Sequence, residues 1–231
     1  MPYVIPAPIP ASVPVAGSAD AFPVHRIYCV GRNYVDHAKE MGHTGREAPF
    51  FFMKPSDAIL PVPAGTTGAL PYPPQTRDFQ HEMELVVAIG KGGSDIGVDD
   101  ALSHVWGYAV GLDMTRRDLQ GEAKKLGRPW DTGKAFEHSA PIGPITPAAQ
   151  AGDVSHAAIT LHVNGDLRQG STIDMLIWNV AETIADLSKY FTLQPGDLIY
   201  TGTPAGVAPV QRGDELVGAI DGLETVRVKV V

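Results

Sequence analysis

The sequence predicts a mixed α/β fold that is rich in β-strands, and three observations support this. Many short apolar segments are bounded by glycine and proline, as expected of strands. Only residues 115–126 and 173–191 have the three- and four-residue apolar spacing of a substantial helix. Strands and helices do not alternate regularly, which argues against Rossmann and TIM-barrel architectures. We therefore expect twisted mixed sheets, arranged as a sandwich or roll, with few helices.

Individual elements can be placed along the chain. Asn164-Gly165 is a hairpin signal that joins residues 159–163 to 166–169. A short helix is expected from Asn33 to about Met41, followed by a glycine-containing loop at 42–48. Residues 58–78 are rich in proline and should be irregular with short extended pieces. A short helix is expected at 99–104, and further strands at 24–30, 50–53, 82–89, 105–112, 197–201, 215–220 and 225–230.

Residues 1–23 differ from the rest of the chain in composition. They are rich in proline, which argues against a helix, and they lack the charged and apolar regions of a signal peptide. We expect an extended Pro/Ala-rich arm that lies on the body or on a partner subunit. Residues 24–231 should form a single catalytic domain, because no internal repeat or low-complexity linker divides them. No apolar run approaches ~18 residues, so we expect no membrane span and a cytoplasmic location.

Charge and cysteine content restrict the partners. The formal net charge is −8, and no dense basic stripe is present to neutralise nucleic-acid phosphates. A small anionic substrate is not excluded, because a metal and a few local cations can reverse the field inside a pocket. The single cysteine, Cys29, cannot form an intrachain disulfide, and its apolar neighbours predict a buried, inert thiol.

Glu82 and Glu84 stand two residues apart at the start of an apolar run. In a strand such residues point to the same face, so two like charges would lie side by side near the core. This is unfavourable without a proton or a cation, and oxygen ligands favour Mg²⁺ or Mn²⁺. Asp113, after another apolar run, is a candidate third ligand. Spacing alone leaves two alternatives open, an exposed strand edge for the glutamates and a helix cap for Asp113.

Three further groups are candidates for chemistry. His37 and Glu40 would share a helix face, where the carboxylate orients the imidazole as a general base for water. The alternative is an ordinary surface ion pair, and the glycine-bearing segment that follows would let the helix act as a lid. Lys134 stands among aromatic residues, where a snorkelling side chain is common. The backbone around Gly202 and the Thr203 hydroxyl could bind a carboxylate, although the segment by itself predicts only a turn.

Taken together, these segments resemble the fumarylacetoacetate hydrolase family from about Val24 onward. The matching motifs are G-R-N-Y-x-x-H-x-x-E (31–40), F-x-K-P (within 51–55), E-x-E-L (82–85), D-M-T-R-R-D-L-Q (113–120), G-K-x-F (133–136) and G-D-L-I-Y-T-G-T-P-x-G-V (196–207). The resemblance implies a β-rich fold particular to this family, usually dimeric, with a Mg²⁺ or Mn²⁺ site. It places Glu82, Glu84 and Asp113 at the metal-ligand positions. It implies a catalytic pair and substrate contacts at His37, Glu40, Gln120, Lys134, Thr203, Gly202 and Arg32.

The finer resemblance is to the bacterial branch that cleaves fumarylpyruvate, on the aromatic run 50–52 and the segments 71–73 and 176–179. The implied reaction is metal-dependent hydrolysis of a 2,4-diketo acid to fumarate and pyruvate, as in gentisate-type aromatic breakdown. In it, His37 activates water, Gln120 binds the oxyanion and Lys134 stabilises the pyruvate enolate. Decarboxylation of oxaloacetate, or hydrolysis of another acylpyruvate or of fumarylacetoacetate, is the alternative. His81 replaces a residue that is often aromatic in the family, and we expect it to pack rather than bind metal.

Overall fold

The computed structural model describes residues 3–35 and 46–231. The predicted fold class is confirmed, because two curled mixed sheets contain most of the strands and the helices are few and short. Cys29 is buried, as predicted. Within the described residues, no helix is both long and apolar enough to cross a membrane.

The larger sheet is centred on the antiparallel pair Met83–Ile89 and Val105–Leu112. Every residue of Met83–Ile89 is buried, as expected of an apolar strand that is covered on both faces. On the side of Met83–Ile89 away from Val105–Leu112, Leu198–Tyr200 pairs with it in antiparallel fashion. Leu198–Tyr200 also pairs in parallel with Ile27–Gly31. In the described residues the strand order is Phe50–Lys54, Ile27–Gly31, Leu198–Tyr200, Met83–Ile89, Val105–Leu112, Ala140–Ile142 and Ile59–Pro61, and Thr146–Pro147 also pairs with Val105–Leu112.

A second sheet packs against one face of the larger one. Its hairpin turns at Asn164 and Gly165 as predicted, with φ values of 52° and 88° that match a type I′ turn. Across the part of the chain that the structure describes, its order is Asp166–Thr172, Ala158–Val163, Glu215–Ile220, Val226–Val230 and Gly68–Leu70. A short pair, Phe79–Gln80 with Thr115–Arg116, lies beside the two sheets.

Alternation along Met83–Ile89 sends side chains into two different cores. Leu85 lies in the core between the two sheets, whereas Val86 lies in a second cluster on the opposite face of the larger sheet. This second core cluster continues the face that Glu84 occupies, since residues two apart in a strand share a face. Its members include Val13, Phe22, Cys29, Val86, Ala109, Ile142 and Tyr200.

The N-terminal segment covers this second core cluster. Ser12–Pro14 pairs with Ala21–Pro23, and Val13 is fully buried. The Ile145 N–H donates to the Pro14 carbonyl at 2.9 Å, which attaches the pair to the body of the chain. Residues 3–10 are exposed. The predicted helix after Asn33 and most of the following loop fall on residues 36–45, outside the described residues.

The prediction of one long helix over 173–191 was wrong. The structure has a 3-10 turn at Ile173–Met175 and a helix only at Val180–Leu187. The backbone is extended at Leu176, and the helix begins with a capping box in which Asn179 and Glu182 exchange hydrogen bonds. In the described part of the chain, the other helical segments are Val98–Ala101, Arg117–Lys125, Asp131–Lys134 and Ala148–Ala151, with 3-10 turns at Ser56–Ala58 and Leu102–His104.

Candidate active site

Glu82, Glu84 and Asp113 come together where the two central strands of the larger sheet end. Asp113 directly follows Val105–Leu112, and its N–H donates to the Glu82 carbonyl at 2.8 Å. One carboxylate oxygen from each residue lies within 4.8 Å of the others, and all three residues are buried. The structure therefore brings the predicted ligands together and excludes an exposed strand edge.

Strand register explains why the three carboxylates share one face. Gly111 is the cross-strand partner of Glu84, and a Cβ at Gly111 would lie 2.5 Å from Val86 and 2.8 Å from the Tyr200 ring. Only a glycine fits there, so the Tyr200 ring fills the space beneath the carboxylates. Asp113, two residues later, returns to the same face and completes the triad.

Two of the three carboxylates are paired with buried cations. Lys134 Nζ lies 2.9 Å from Glu82 Oε2 and 2.6 Å from Asp113 Oδ2. Arg117 also donates to Glu82, and Lys54 Nζ lies 2.8 Å from Asp113 Oδ1. Burial acts to raise the pKa of Glu82, but Lys134 and Arg117 outweigh it and the pKa is lowered. Burial likewise acts to lower the pKa of Lys134, yet the two carboxylates raise it, so Lys134 is a buried ammonium and not a snorkelling side chain.

Glu84 is the triad member without an ion-pair partner among the described residues. Its Oε2 accepts a hydrogen bond from the Gly202 N–H at 2.8 Å. Burial, followed by the charges of Asp113 and Glu82, raises the pKa of Glu84 well above its ordinary value. A hard divalent cation with oxygen ligands would supply the missing positive charge, so the donor set fits Mg²⁺ or Mn²⁺.

The loop that contains Gly202 and Thr203 is held close to the triad. Gly202 has φ +106°, and a Cβ there would lie 2.8 Å from the Asn33 Cβ. Asn33 Nδ2 donates to the carbonyl oxygens of Thr201 at 2.8 Å and Trp178 at 2.9 Å, which fixes this close approach. Gly202, predicted to bind substrate, directs its N–H to Glu84 and so supports the triad.

Gln169 connects the smaller sheet to both parts of the site. Its Oε1 accepts from His81 Nδ1 at 2.9 Å and from the Met83 N–H at 3.0 Å, and its Nε2 donates to Thr203 Oγ1 at 2.8 Å. The Thr203 hydroxyl accepts this bond, which leaves its proton for a ligand in the pocket. His81 is fully buried and lies outside the carboxylate cluster, as expected of a packing residue.

One face of the helix Arg117–Lys125 lines the pocket above the triad. Arg117, Gln120 and Lys124 follow the three- and four-residue spacing that places side chains on one helix face, and all three line the pocket. Gln120 Oε1 accepts from Arg117 at 2.7 Å, which leaves the Gln120 amide nitrogen to donate into the pocket.

Part of the pocket wall is aromatic. Phe50, Phe52 and Trp130 form this aromatic wall, with Trp130 ring centroids 5.5 Å from Phe50 and 5.6 Å from Phe52. Arg32 also lines the pocket, and its guanidinium carbon lies 5.0 Å from the Phe50 ring centroid. Arg32 has φ 56°, an uncommon backbone conformation for a non-glycine residue. The pocket contains about 410 Å³ of empty space, including its open mouth.

The structure thus places eight predicted site residues around one pocket: Arg32, Glu82, Glu84, Asp113, Gln120, Lys134, Gly202 and Thr203. His37 and Glu40 lie outside the described residues. Sequence reasoning assigned no role to Lys54, Arg117 or Gln169. Lys54 and Arg117 stand in two of the motifs that match the family, whereas Gln169 carries no local sequence signal and depends on the packing of the smaller sheet.

Comparison with known proteins agrees with this fold and this cluster of carboxylates. The family model described as fumarylacetoacetate (FAA) hydrolase C-terminal matches residues 26–231. The chain belongs to this family, which confirms the predicted resemblance.

Similar proteins include bacterial fumarylpyruvate hydrolases. That of a Ralstonia species is 50% identical over 184 residues, covering 80% of this chain and 93% of its own length. The crystal structure of fumarylpyruvate hydrolase from Pseudomonas aeruginosa, in complex with Mn²⁺ and pyruvate, is 57% identical, with a TM-score of 0.98 over 100% of this chain and 99% of that one. Mouse mitochondrial oxaloacetate tautomerase FAHD1 is 43% identical over 204 residues, covering 88% of this chain and 90% of its own length.

Proposed function

We propose that this protein is a metal-dependent hydrolase that cleaves a C–C bond of a 2,4-diketo acid, with 3-fumarylpyruvate as its substrate. The single observation that carries the proposal is the buried triad Glu82, Glu84 and Asp113 at the base of a cation-lined pocket. Support comes from the 57% identical P. aeruginosa fumarylpyruvate hydrolase, whose structure contains Mn²⁺ and pyruvate, one of the proposed products.

Glu82, Glu84 and Asp113 would hold Mg²⁺ or Mn²⁺, which supplies a Lewis acid for the pyruvoyl carboxylate and its adjacent keto oxygen. The Thr203 hydroxyl, donating from the pocket wall, orients the substrate carboxylate. Gly202 keeps Glu84 in place through its N–H. Arg32 contributes positive charge at the pocket wall, where it attracts the anionic substrate.

In the proposed reaction, water adds to the distal acyl carbonyl after losing a proton to His37, which Glu40 orients. The Gln120 amide nitrogen donates to the oxyanion, a contact of a kind worth roughly 3 kcal/mol in other enzymes. The C–C bond then breaks, and its electron pair passes into the pyruvate part as an enolate. Lys134 stabilises that negative charge as an ammonium, and the proton that His37 took from water passes to the enolate carbon, which gives pyruvate beside fumarate.

Oxaloacetate tautomerisation is the second candidate function. The observation that favours it is the 43% identity with a mitochondrial oxaloacetate tautomerase. Tautomerisation would use the same metal site and the same enolate stabilisation, but it needs no attacking water and breaks no C–C bond. The same metal site and enolate stabilisation would also serve the decarboxylation of oxaloacetate.

We further propose a cytoplasmic homodimer that serves gentisate-type aromatic breakdown, with residues 1–23 as an arm on a catalytic domain of residues 24–231. The dimer and the pathway rest on the family resemblance, whereas the arm and the location rest on the composition of the sequence. Light scattering of the purified protein tests the dimer, since a mass near 24.6 kDa would contradict it.

One spectrophotometric panel separates the candidate reactions. Fumarylpyruvate, fumarylacetoacetate, acetylpyruvate and oxaloacetate are each mixed with the enzyme and Mg²⁺ or Mn²⁺, and then with EDTA. We expect the highest kcat/KM for fumarylpyruvate and loss of turnover with EDTA. Rapid keto–enol exchange of oxaloacetate without cleavage of any acylpyruvate would instead support the tautomerase.

A further inference from the structure

The aromatic wall carries a cation at each end. Arg32 lies 5.0 Å from the Phe50 ring centroid, and Lys124 Nζ lies 5.9 Å from the Trp130 ring centroid. Phe50 and Trp130 themselves pack edge to face. Both cations line the pocket, so an anionic group of a ligand beside these rings would lie near positive charge.

Within the described residues, more basic than acidic side chains line the pocket. Arg32, Arg117, Lys124 and Lys134 are the basic ones, and Glu82 and Glu84 are the acidic ones. Glu82 is already paired with Arg117 and Lys134. Among the described residues, Lys124 makes no ion pair with a carboxylate.

The charges that act on Lys124 are mainly like charges. Partial loss of hydration, then Arg32, then Arg117, lowers the pKa of Lys124, and Glu82 opposes them. Lys124 has no carboxylate partner among the described residues, so an anionic group of the ligand would give it a charge-assisted hydrogen bond.

We propose that Lys124, together with Arg32, receives a carboxylate at the far end of the acyl arm, so that the pocket selects dicarboxylic diketo acids over those with a neutral acyl group. This assignment rests on the proposed hydrolase function. The triad and Thr203 bind the pyruvoyl end, which leaves the wall of Phe50, Phe52 and Trp130 for the acyl arm. An unsaturated arm ending in a carboxylate matches a pocket wall that offers aromatic contact and cations together.

The simpler interpretation of Lys124 is a solvated cation near the C-terminus of the helix, where it favours the helix dipole. Lys125 provides a matched control, because it occupies the same last turn and is exposed like Lys124 but does not line the pocket. Any effect of charge on the helix or on long-range attraction of anions should be common to both lysines. A loss of affinity that comes from lost contact with the ligand carboxylate should appear only when Lys124 is substituted.

The test measures steady-state kinetics of the Mn²⁺-loaded enzyme with fumarylpyruvate and with acetylpyruvate, whose acyl arm has no carboxylate. We expect Lys124→Met to raise KM for fumarylpyruvate by about tenfold, the loss of one hydrogen bond to a charged group. Its kinetics with acetylpyruvate should stay within about twofold, as should both activities of Lys125→Met. Lys124→Arg should keep the preference for fumarylpyruvate.

A binding readout accompanies the kinetics. Fumarate should inhibit acetylpyruvate hydrolysis by the wild-type enzyme, and Lys124→Met should weaken that inhibition without weakening inhibition by pyruvate. Equal losses with both substrates, or equal losses in the Lys124 and Lys125 variants, would overturn the assignment while the hydrolase function stands. If the wild-type enzyme cleaves neither acylpyruvate, the proposed function and this assignment both fail.

Discussion

The two ends of the pocket are built from different kinds of structure. The metal end, formed by Glu82, Glu84 and Asp113, lies at the ends of buried central strands, and its backbone is fixed by sheet hydrogen bonds. The acyl end, formed by the aromatic wall with Arg32 and Lys124, uses an edge strand and one helix face. A rigid end suits chemistry common to all diketo acids, and a more exposed end suits selection among their acyl groups.

The largest expected effect lies at the metal end. Glu84→Ala removes the triad member that has no cation of its own, so metal and activity should be lost together. Loss of the Lewis acid should lower kcat/KM by about 10³-fold or more, equally for fumarylpyruvate and acetylpyruvate. Metal content by atomic spectroscopy and kcat/KM are measured on the same preparation. Full activity in a metal-free variant would contradict the assigned ligands.

The next effect concerns water activation, which should serve every substrate alike. His37→Ala should keep the metal but lower kcat about 10²-fold or more, the typical contribution of a general base. The matched comparison is again fumarylpyruvate against acetylpyruvate, because a base for water should not distinguish acyl groups. Turnover of both substrates at the wild-type rate would remove His37 from the mechanism.

A third prediction uses the raised pKa of Glu84 in the metal-free protein. The folded pKa lies well above the unfolded value of 4.5, so above that pH the folded state binds the proton more strongly than the unfolded state. Stability of the metal-free protein should therefore fall as pH rises above about 4.5, by at most about 1.4 kcal/mol per pH unit. Thermal unfolding at several pH values in EDTA measures this.

The isosteric variant Glu84→Gln is the control for the pH effect. It cannot ionise, so its metal-free stability should depend less on pH than that of the wild-type protein. Addition of Mg²⁺ to the wild-type protein should raise Tm most at high pH, where Glu84 has already lost the proton that competes with the metal. A wild-type pH dependence that matches the Gln variant would show that Glu84 is not the titrating group.

The smallest predicted effect lies at the acyl end. Trp130→Leu keeps apolar contact but removes the ring that packs against Phe50 and Phe52. We expect KM for fumarylpyruvate to rise about two- to tenfold, from one lost aromatic contact, and KM for acetylpyruvate to change less. A uniform fall in kcat for both substrates would mean that the wall supports the metal end instead.

The metal end could be predicted from the sequence because its signals are local. Glu82 and Glu84 are two residues apart in one apolar strand, and Asp113 follows the next strand, so alternation and strand ends specify their meeting place. The glycine at 202 was visible as a turn, but its donation to Glu84 depends on Asn33, 169 positions earlier. Such long-range packing has no periodic signal.

The acyl end was less predictable from the sequence, because its parts come together only through long-range packing. Arg117, Gln120 and Lys124 have the spacing of one helix face, yet nothing local indicates that this face meets Phe50 and Trp130. The overlong helix at 173–191 shows the opposite error, in which apolar spacing outweighed a visible capping box at Asn179. Spacing alone reports which face is apolar and not where the chain stops being helical.

The most direct test of hydrolysis is the fate of the water oxygen. The Mn²⁺-loaded enzyme is incubated with fumarylpyruvate in ¹⁸O-enriched water, and fumarate is analysed by mass spectrometry. We predict one ¹⁸O atom per fumarate formed, since water attacks the acyl carbonyl, and no fumarate when EDTA is present. Unlabelled fumarate, or keto–enol exchange with no C–C cleavage at all, would contradict the account.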